Sequence, residues 1–405
     1  MEKITITPAN RIKDLPPYLF AAIDKMKQEA IAKGRDVINL GIGDPDLPTP
    51  QPIIERLQKA VTDPKNHQYP SYEGMISFRR AVAKWYLDRF NVTLNPENEV
   101  ATLIGSKEGI GHTPLAFIDP GDVALMTSPG YPVYHAGTLF AGGISYFVPL
   151  LEKNQFLPDL GAIPVEMAKA AKIFFINYPN NPTGAVASAR FFESVVDFAR
   201  TYNVLICHDA AYSELYYDGG TTLAGHVAPA SIRPTSFLEV PGAKEVGIEF
   251  HSLSKTFNMT GWRIGFAVGN QDAVAALLKV KSNLDSGVFQ SVQEAGIAAL
   301  TLPESTLEAI RNIYQERRDL FVAGLNKLGA KVASAEASFY VWINNPPNVT
   351  STALAARFLS EADIVVTPGN GFGEAGEGYI RVALTCPKER LAEALKRIEK
   401  AKIFG

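Results

Sequence analysis

HSLSKTFNMTGWRIGFAVG, residues 251–269, places a single lysine in a short turn rich in hydroxyl groups between two apolar runs. Lys255 follows the end of the first run, with Ser252 and Ser254 before it and Arg263 after it. Both runs have the composition of buried strands, so an amine in the turn would be partly desolvated. Desolvation lowers the pKa of a lysine and makes its amine nucleophilic toward carbonyl groups.

Around this stretch, short apolar runs alternate with helical patterns, one of which is ARFFESVVDFARTY at 189–202. The strand-like runs are apolar on both faces and comprise VALMTSP (123–129), KIFFINYP (172–179), VLICHDAAY (204–212), GIEFHSL (247–253) and WRIGFAVG (262–269). Such strands alternating with helices predict a largely parallel sheet that is covered by helices on both sides. Ligands bind these sheets beyond the carboxyl ends of the strands, where polar residues of several runs would converge.

The pattern changes after about residue 287. A long helical pattern at 303–329 precedes shorter strand and helix patterns, which together predict an α+β unit. We therefore expect an α/β protein with a large domain at 46–286, built on the mostly parallel sheet, and a smaller α+β domain. The N-terminal segment 1–45 is expected to join 287–405 in that smaller domain.

Composition narrows the class of protein. The chain has 405 residues, 46% hydrophobic and 20% charged, with a formal net charge of −3 and no basic block, so no nucleic-acid or membrane partner is expected. Cys207 and Cys386 make neither a disulfide framework nor a metal site, so we expect no metal and a reducing, cytoplasmic location. No apolar run approaches the ~18 residues of a membrane span.

The lysine turn also has the residues needed to bind a phosphate. Ser252 offers a hydroxyl and Arg263 a bidentate guanidinium, a good pair for a phosphate dianion. A cofactor with both an aldehyde and a phosphate would satisfy these residues and Lys255, which points to pyridoxal phosphate. The alternative is a lysine that is simply solvated at the surface.

Polar residues at two other strand ends suit the ring of such a cofactor. Asp209 follows VLICH and could pair with the pyridine nitrogen, while Tyr212 and Asn181 could contact the ring hydroxyl. The alternatives are that Asp209 caps a helix and that NNPTG, residues 180–184, is an ordinary turn.

Three further motifs are candidates for the same site. Ser106 and Lys107 begin a predicted helix, whose N-terminal N–H groups favour phosphate, and Tyr131 offers a flat ring for stacking. Arg381 is a charge within an apolar strand and requires a carboxylate or phosphate partner. A plain helix start, loop packing and a structural ion pair are the respective alternatives.

Together these motifs resemble the class I/II aminotransferases, the fold-type I pyridoxal-phosphate family. The resemblance runs nearly end to end through LGIGDPD, YPSYEG, GSKEG, SPGYPVY, YPNNPTG, HDAAY, SLSKTFNMTGWRIG and YIRVALT. It implies transfer of an amino group between an L-amino acid and a 2-oxo acid through a Schiff base with pyridoxal phosphate. Another enzyme on the same scaffold, such as a β-lyase, and a non-catalytic regulator are the alternatives.

The resemblance also implies roles for individual residues. The catalytic residues would be Lys255, Asp209 and Tyr212. The cofactor would be bound by these three and by Ser106, Lys107, Tyr131, Asn181, Ser252, Ser254, Arg263 and Tyr69. The substrate would be bound by Tyr18, Gly41, Lys107, Tyr131, Asn181, Asn283 and Arg381. Because Tyr69 would reach the cofactor of the neighbouring subunit, the resemblance implies a homodimer with shared active sites.

Within the family, PPYLFAAID, GSKEG and KSNLDSGVFQ are most similar to enzymes that act on LL-diaminopimelate. A site for that substrate must bind a second ammonium and carboxylate, for which Tyr18, Lys107, Asn283 and Glu73 have suitable side chains. The expected reaction is transfer from LL-2,6-diaminopimelate to 2-oxoglutarate in lysine biosynthesis. An aspartate, alanine or aromatic aminotransferase of broader specificity is the alternative.

Overall fold

A computed structural model describes residues 4–16, 19–217 and 233–405 of the chain. Within those ranges no helix combines the length and the apolar character needed to cross a membrane. The α-helices described are α1 Asn10–Lys13, α2 Leu19–Ala32, α3 Gln51–Val61, α4 Ile76–Phe90, α5 Ser106–Phe117, α6 Val133–Phe140, α7 Val165–Ala170, α8 Ala189–Tyr202, α9 Ala243–Val246, α10 Leu253–Thr256, α11 Gln271–Leu284, α12 Gln290–Leu300, α13 Glu304–Lys327, α14 Ser351–Ala362 and α15 Lys388–Lys400.

The strands described are β1 Ile38–Asn39, β2 Val100–Leu103, β3 Val123–Ser128, β4 Ile144–Pro149, β5 Ala171–Asn177, β6 Leu205–Asp209, β7 Gly247–Ser252, β8 Gly265–Gly269, β9 Val332–Ser334, β10 Tyr340–Asn344, β11 Ile364–Val365, β12 Thr367–Pro368 and β13 Tyr379–Ala383. In the described part of the chain, the larger sheet has the order β2-β8-β7-β6-β5-β3-β4. Strands β4, β3, β5, β6 and β7 run parallel to one another. Strand β8 is antiparallel to both β7 and β2. The prediction of a mostly parallel sheet is confirmed.

Local signals in the sequence explain where helix α8 begins and ends. Ser188 precedes the helix, and its hydroxyl accepts a hydrogen bond from the Phe191 backbone N–H at 3.2 Å. Asn203 ends it in the left-handed conformation, with φ of 56°. A side-chain cap at the start and a left-handed residue at the end are common helix boundaries. The helix therefore covers the predicted residues, 189–202.

The smaller sheet is antiparallel, with the order β12-β13-β10-β9 within the described residues. Strand β1 from the N-terminal region pairs in parallel with β11, which lies in the C-terminal part of the chain. Helix α12, which the predicted division assigns to the smaller domain, packs against α3 and α4 and shares a hydrophobic cluster with the larger sheet. The division at 46–286 stays a prediction.

Phe174 on β5 is fully buried between the larger sheet and its helices. Phe174→Ala should lower the free energy of unfolding by about 3–5 kcal/mol, because it removes buried contacts and leaves a cavity. Val165→Ala, at a side chain 51% exposed, is the matched control and should change it by less than about 0.5 kcal/mol. Denaturant titration measures both, and equal losses would show that the core assignment is wrong.

Candidate active site

The carboxyl ends of β5, β6 and β7 open into a cavity of about 370 Å³. Parallel strands end at the same edge of a sheet, which explains why distant motifs meet there. The predicted site residues that line this cavity are Ser106, Lys107, Tyr131, Asn181, Asp209, Tyr212, Ser252, Ser254, Lys255, Arg263 and Arg381. The structure thus brings together the motifs at all three predicted strand ends.

Lys255 lies on the short helix α10, directly after β7. Its Nζ donates a hydrogen bond to the Gly43 carbonyl oxygen at 2.8 Å and lies 5.8 Å from the centre of the Phe339 ring. Burial lowers the pKa of the Lys255 amine to about 8, and the Asp44 carboxylate opposes part of that effect. At pH 7 about a tenth of the amine is therefore uncharged and available as a nucleophile, far more than for a lysine with an ordinary pKa of about 10.4.

Asp209 ends β6 with its carboxylate buried in the cavity wall. The Tyr134 hydroxyl donates to Oδ2 at 2.9 Å, and the Ala211 backbone N–H donates to Oδ1 at 3.3 Å. Burial raises the pKa of the Asp209 carboxyl above its usual range, and the hydrogen bond from Tyr134 lowers it. A carboxylate that is buried, and whose ionised form is stabilised by hydrogen bonds, is suited to pairing with a cationic ligand atom.

Arg381 on β13 is buried and bonded on two sides. Its Nη1 donates to Asn181 Oδ1 and its Nη2 donates to the Gly41 carbonyl oxygen, both at 2.7 Å. The guanidinium lies over the Tyr340 ring, 4.1 Å from the ring centre. The Tyr340 hydroxyl in turn lies 3.1 Å from that of Tyr212. These contacts hold a planar bidentate donor at the cavity wall, where a carboxylate can approach it.

A second group of residues that line the cavity is rich in donors for an anion. Arg263 Nη1 donates to the Thr260 carbonyl oxygen at 2.9 Å and lies 3.4 Å from Ser254 Oγ. Ser106 is the first residue of helix α5, and Ser252 caps α10 by accepting from the Ser254 N–H at 3.2 Å. Two helix starts, two serine hydroxyls and a guanidinium form a cluster that favours a phosphate group.

Residues 35–398 match the family described as Aminotransferase class I and II. The chain belongs to this family. Among curated proteins, an LL-diaminopimelate aminotransferase of Moorella thermoacetica is 55% identical over 392 residues, 97% of each chain. One from Aquifex aeolicus is 55% identical over 395 residues, 98% of this chain and 99% of that protein.

Solved structures of related proteins have the same fold. Substrate-bound BacF of Bacillus subtilis has a TM-score of 0.91 at 39% identity and covers 98% of both chains. A mutant aspartate aminotransferase of Thermus thermophilus has a TM-score of 0.89 at 28% identity, covering 98% of this chain and 100% of that one. The predicted fold-type I architecture is confirmed, and so is the aminotransferase activity, which uses pyridoxal phosphate.

The cavity fits this cofactor. A β-carbon at Gly105 would lie 2.2 Å from Arg263 Nη2, so the glycine leaves room for the guanidinium at the anion-binding end. The Lys255 amine lies in the same cavity and matches an aldehyde, and Asp209 matches a protonated pyridine nitrogen. Among the described residues, donors, amine and carboxylate thus occur together in one cavity, as the cofactor requires.

Some predicted residues do not line this cavity in the single chain. Tyr69 is 90% exposed, and Asn283 is exposed with its amide donating to the Lys279 carbonyl oxygen. Gly41 acts through its carbonyl oxygen on Arg381. Tyr18 lies outside the described residues, so its predicted role is neither supported nor contradicted.

Sequence reasoning missed several residues that contact the predicted site, among them Tyr134 and Tyr340. Tyr134 follows Tyr131 by one helical turn, but nothing in that spacing indicates a bond to Asp209. Tyr340 lies in the apolar run SFYVWIN, where its hydroxyl was the one signal of a polar role.

Capture of the cofactor by Lys255 should depend on pH. Pyridoxal phosphate added to protein freed of cofactor should attach faster as pH rises through about 8, because the amine loses its proton there. After borohydride reduction, peptide mapping should place the label on Lys255. Lys255→Ala should remove the label, whereas Lys396→Ala, at an exposed position, should retain it. A label on another lysine, or a rate that does not change with pH, would contradict this assignment.

Gly105→Ala should weaken cofactor binding by at least about tenfold, which corresponds to about 1.4 kcal/mol. The added methyl group would displace Arg263, and the backbone φ of +73° would strain any side chain. Gly261→Ala is the matched control in the adjacent turn, since no described atom lies within 4 Å of its added β-carbon. Cofactor titration followed by absorbance measures both dissociation constants, and an unchanged value for Gly105→Ala counts against the proposed phosphate site.

Proposed function

We propose that this aminotransferase transfers an amino group from LL-2,6-diaminopimelate to 2-oxoglutarate, in lysine biosynthesis and in the cytoplasm. The observation that carries the proposal is the 55% identity, over 97% of both chains, to a protein named LL-diaminopimelate aminotransferase. A second relative with that name, from Aquifex aeolicus, has equal identity over 98% of this chain.

Arg381 is proposed to bind the α-carboxylate of the substrate. Its two terminal nitrogens already donate to oxygen atoms, those of Asn181 and Gly41, at 2.7 Å. A carboxylate offers two oxygens in the same planar geometry and adds a full negative charge, so it competes well for the guanidinium. The Tyr340 ring below keeps the guanidinium plane in place.

Lys255 is proposed to carry the cofactor at rest and to move the proton of the substrate α-carbon. Bound pyridoxal phosphate supplies an electron sink for the charge left on that carbon. The amine is suited to both roles, because its pKa of about 8 lets it accept and return a proton near neutral pH.

Asp209 and Tyr212 are proposed to control the cofactor ring. Asp209 would hold a proton on the pyridine nitrogen, while Tyr212 and Asn181 would contact the ring hydroxyl. Burial raises the pKa of the Tyr212 hydroxyl well above its usual range, so this group stays protonated and acts as a hydrogen-bond donor. Tyr131, which lines the cavity, is proposed to stack on the ring.

A homodimer with shared active sites is proposed because two of the predicted site residues lie at the surface, outside the cavity of their own chain. Tyr69 and Asn283 are exposed and cannot serve the site of their own chain as they stand. A second, larger cavity of about 1380 Å³ adjoins the site through Lys107, Tyr131 and Arg263. Its walls include the exposed apolar side chains of Leu115, Phe140, Phe147 and Leu284. An exposed apolar surface of this kind favours contact with a second copy.

The distal ammonium and carboxylate of LL-diaminopimelate require polar partners beyond Arg381. Lys107 lines the cavity and is proposed as one of them, together with Tyr18. Asn283 and Glu73 of the second copy are proposed as the others. Glu73 is 51% exposed and lies 3.1 Å from Arg79, so it remains accessible at the surface.

We expect kcat/KM for LL-diaminopimelate to exceed that for alanine, aspartate and phenylalanine by at least ~100-fold, with 2-oxoglutarate as acceptor. Donors without the second charged end would leave buried polar groups unpaired, which weakens binding in the transition state. Glutamate formation measures each rate. Comparable values for all four donors would contradict the proposed substrate and leave the aminotransferase activity intact.

Shared sites can be tested by subunit complementation. Lys255→Ala and Tyr69→Ala homodimers should each have little activity, but mixing them under conditions of subunit exchange should restore part of it. In the mixed dimer, one of the two sites then has the native Lys255 of one chain and the native Tyr69 of the other. Tyr202→Ala, in place of Tyr69→Ala, is a control at a position on helix α8 and should be active without mixing. An active monomer, or no recovery in dimers shown to be mixed, would contradict the shared site.

A further inference from the structure

A polar network lies inside the protein on β6 and β7, apart from the residues that line the cavity. At its centre is Glu249, which is fully buried. Its carboxylate accepts hydrogen bonds from Tyr86 Oη (2.7 Å), His208 Nδ1 (2.9 Å), His251 Nε2 (2.7 Å), Ser236 Oγ (2.9 Å) and the Phe237 backbone N–H (2.9 Å). None of these side chains has a role in the proposed chemistry.

The network lies directly behind the pyridine-binding carboxylate. His208 precedes Asp209 on β6, and successive side chains of a strand point to opposite faces of its sheet. In the parallel register, His208 is the partner of Glu249, and Asp209 is the partner of Phe250. Asp209 therefore points toward the cavity while His208 points toward Glu249.

Both ring nitrogens of His208 face hydrogen-bond acceptors. Nδ1 lies 2.9 Å from Glu249 Oε2, and Nε2 lies 3.0 Å from the Tyr178 carbonyl oxygen. A carbonyl oxygen and an ionised carboxylate can only accept, so each ring nitrogen must carry a hydrogen. His208 then has the charge of an imidazolium.

The carboxylate of Glu249 is held in its ionised form by the groups around it. Burial favours the neutral acid, but His208 and His251 together hold the pKa of Glu249 below its usual range. His251 differs from His208, because its Nδ1 faces the Ser213 hydroxyl at 3.4 Å, and a hydroxyl can donate as well as accept. A single ring proton therefore satisfies the hydrogen bonds of His251. His208 is then the positive charge that pairs with the negative charge of Glu249.

We propose that His208 is a permanent imidazolium that acts as a positioning residue for Asp209, keeping the carboxylate ionised from behind. This inference rests on the proposed role of Asp209 toward the pyridine nitrogen. The titratable groups that face the His208 ring network are Glu249 and His251 from β7 and Tyr86 from α4, and Glu239 acts on Tyr86 and Glu249 electrostatically. Other close neighbours are the Tyr178 carbonyl oxygen, the Ser236 hydroxyl and the rings of Phe192 and Phe237.

The charge of His208 acts against the effect of burial on Asp209. Burial raises the pKa of the Asp209 carboxyl, and a positive charge on His208 adds to the hydrogen bonds from Tyr134 and the Ala211 N–H in lowering it. An ionised Asp209 is needed to keep a proton on the pyridine nitrogen. Loss of the His208 charge should therefore shift that proton toward Asp209 and weaken the electron sink.

The ring charge can be read directly in the holoenzyme by nitrogen NMR after labelling its histidines with ¹⁵N. The chain has six histidines, so the spectrum is small, and the signals missing in His208→Gln identify His208. At about pH 8, where an ordinary histidine is neutral, both ring nitrogens of His208 should still carry protons. One unprotonated ring nitrogen at that pH would overturn the proposal. This readout does not depend on the substrate or on the role of Asp209.

Kinetics separate a charge effect from a structural one. His208→Gln should lower kcat by about tenfold, the equivalent of one pKa unit. The KM of the amino donor should change by less than about threefold, because Arg381 is untouched. Tyr86→Phe is the matched control: it removes one donor to Glu249 but leaves His208 with both of its acceptors. Tyr86→Phe should lower the melting temperature and leave kcat within about twofold of the native value.

Two kinetic results would contradict the proposal: a native kcat in His208→Gln, or an equal loss of kcat in Tyr86→Phe. If His208→Gln does not fold, His208→Asn supplies both the NMR assignment and the kinetic comparison. Asp209→Ala separates this inference from the function on which it rests. Full activity of Asp209→Ala would remove the proposed role of Asp209, whereas the NMR result would still report the charge of His208.

Discussion

Burial of opposite charges at one edge of the larger sheet is the constraint on which the site depends. Lys255, Arg381 and Asp209 line a cavity of about 370 Å³, and burial destabilises the charged form of each. Buried charges require partners of opposite charge or hydrogen-bonding groups. A cofactor with an aldehyde, a phosphate and a basic ring nitrogen, together with a substrate carboxylate, is suited to pairing with these groups. The same desolvation that destabilises these charged groups thus makes the site selective and reactive.

The segment that follows β1 connects the two sheets at this cavity. The Gly41 carbonyl oxygen accepts from Arg381 of the smaller sheet, and the Gly43 carbonyl oxygen accepts from Lys255 at the end of β7. Asp46 then forms a bidentate ion pair with Arg317 on α13, with N–O distances of 2.6 and 2.8 Å. The Arg381 guanidinium and the Lys255 amine are therefore bonded to the same short segment, which fixes their positions relative to each other.

The larger sheet also shows how one strand can serve two purposes. On β6, Asp209 faces the cavity and His208 faces the buried Glu249 network, because neighbouring residues of a strand point in opposite directions. A mutation on one side of the sheet is therefore able to alter charge on the other without touching ligand. The sheet brings the motifs together at one edge, and it also places charged groups on its two faces close enough to act on each other.

The sequence by itself determined the features that depend on residues close to one another along the chain. The apolar runs predicted strands β3, β5, β6, β7 and β8 of the larger sheet, the pattern at 189–202 predicted α8, and the turn around Lys255 predicted a nucleophilic amine beside an anion site. Tertiary structure alone decided which distant groups meet. The bonds from Tyr134 to Asp209 and from Arg381 to Asn181 join residues 75 and 200 positions apart. Hydrophobic periodicity and capping involve a few adjacent residues, whereas these bonds depend on strand order and on the packing of two sheets, which no local pattern encodes.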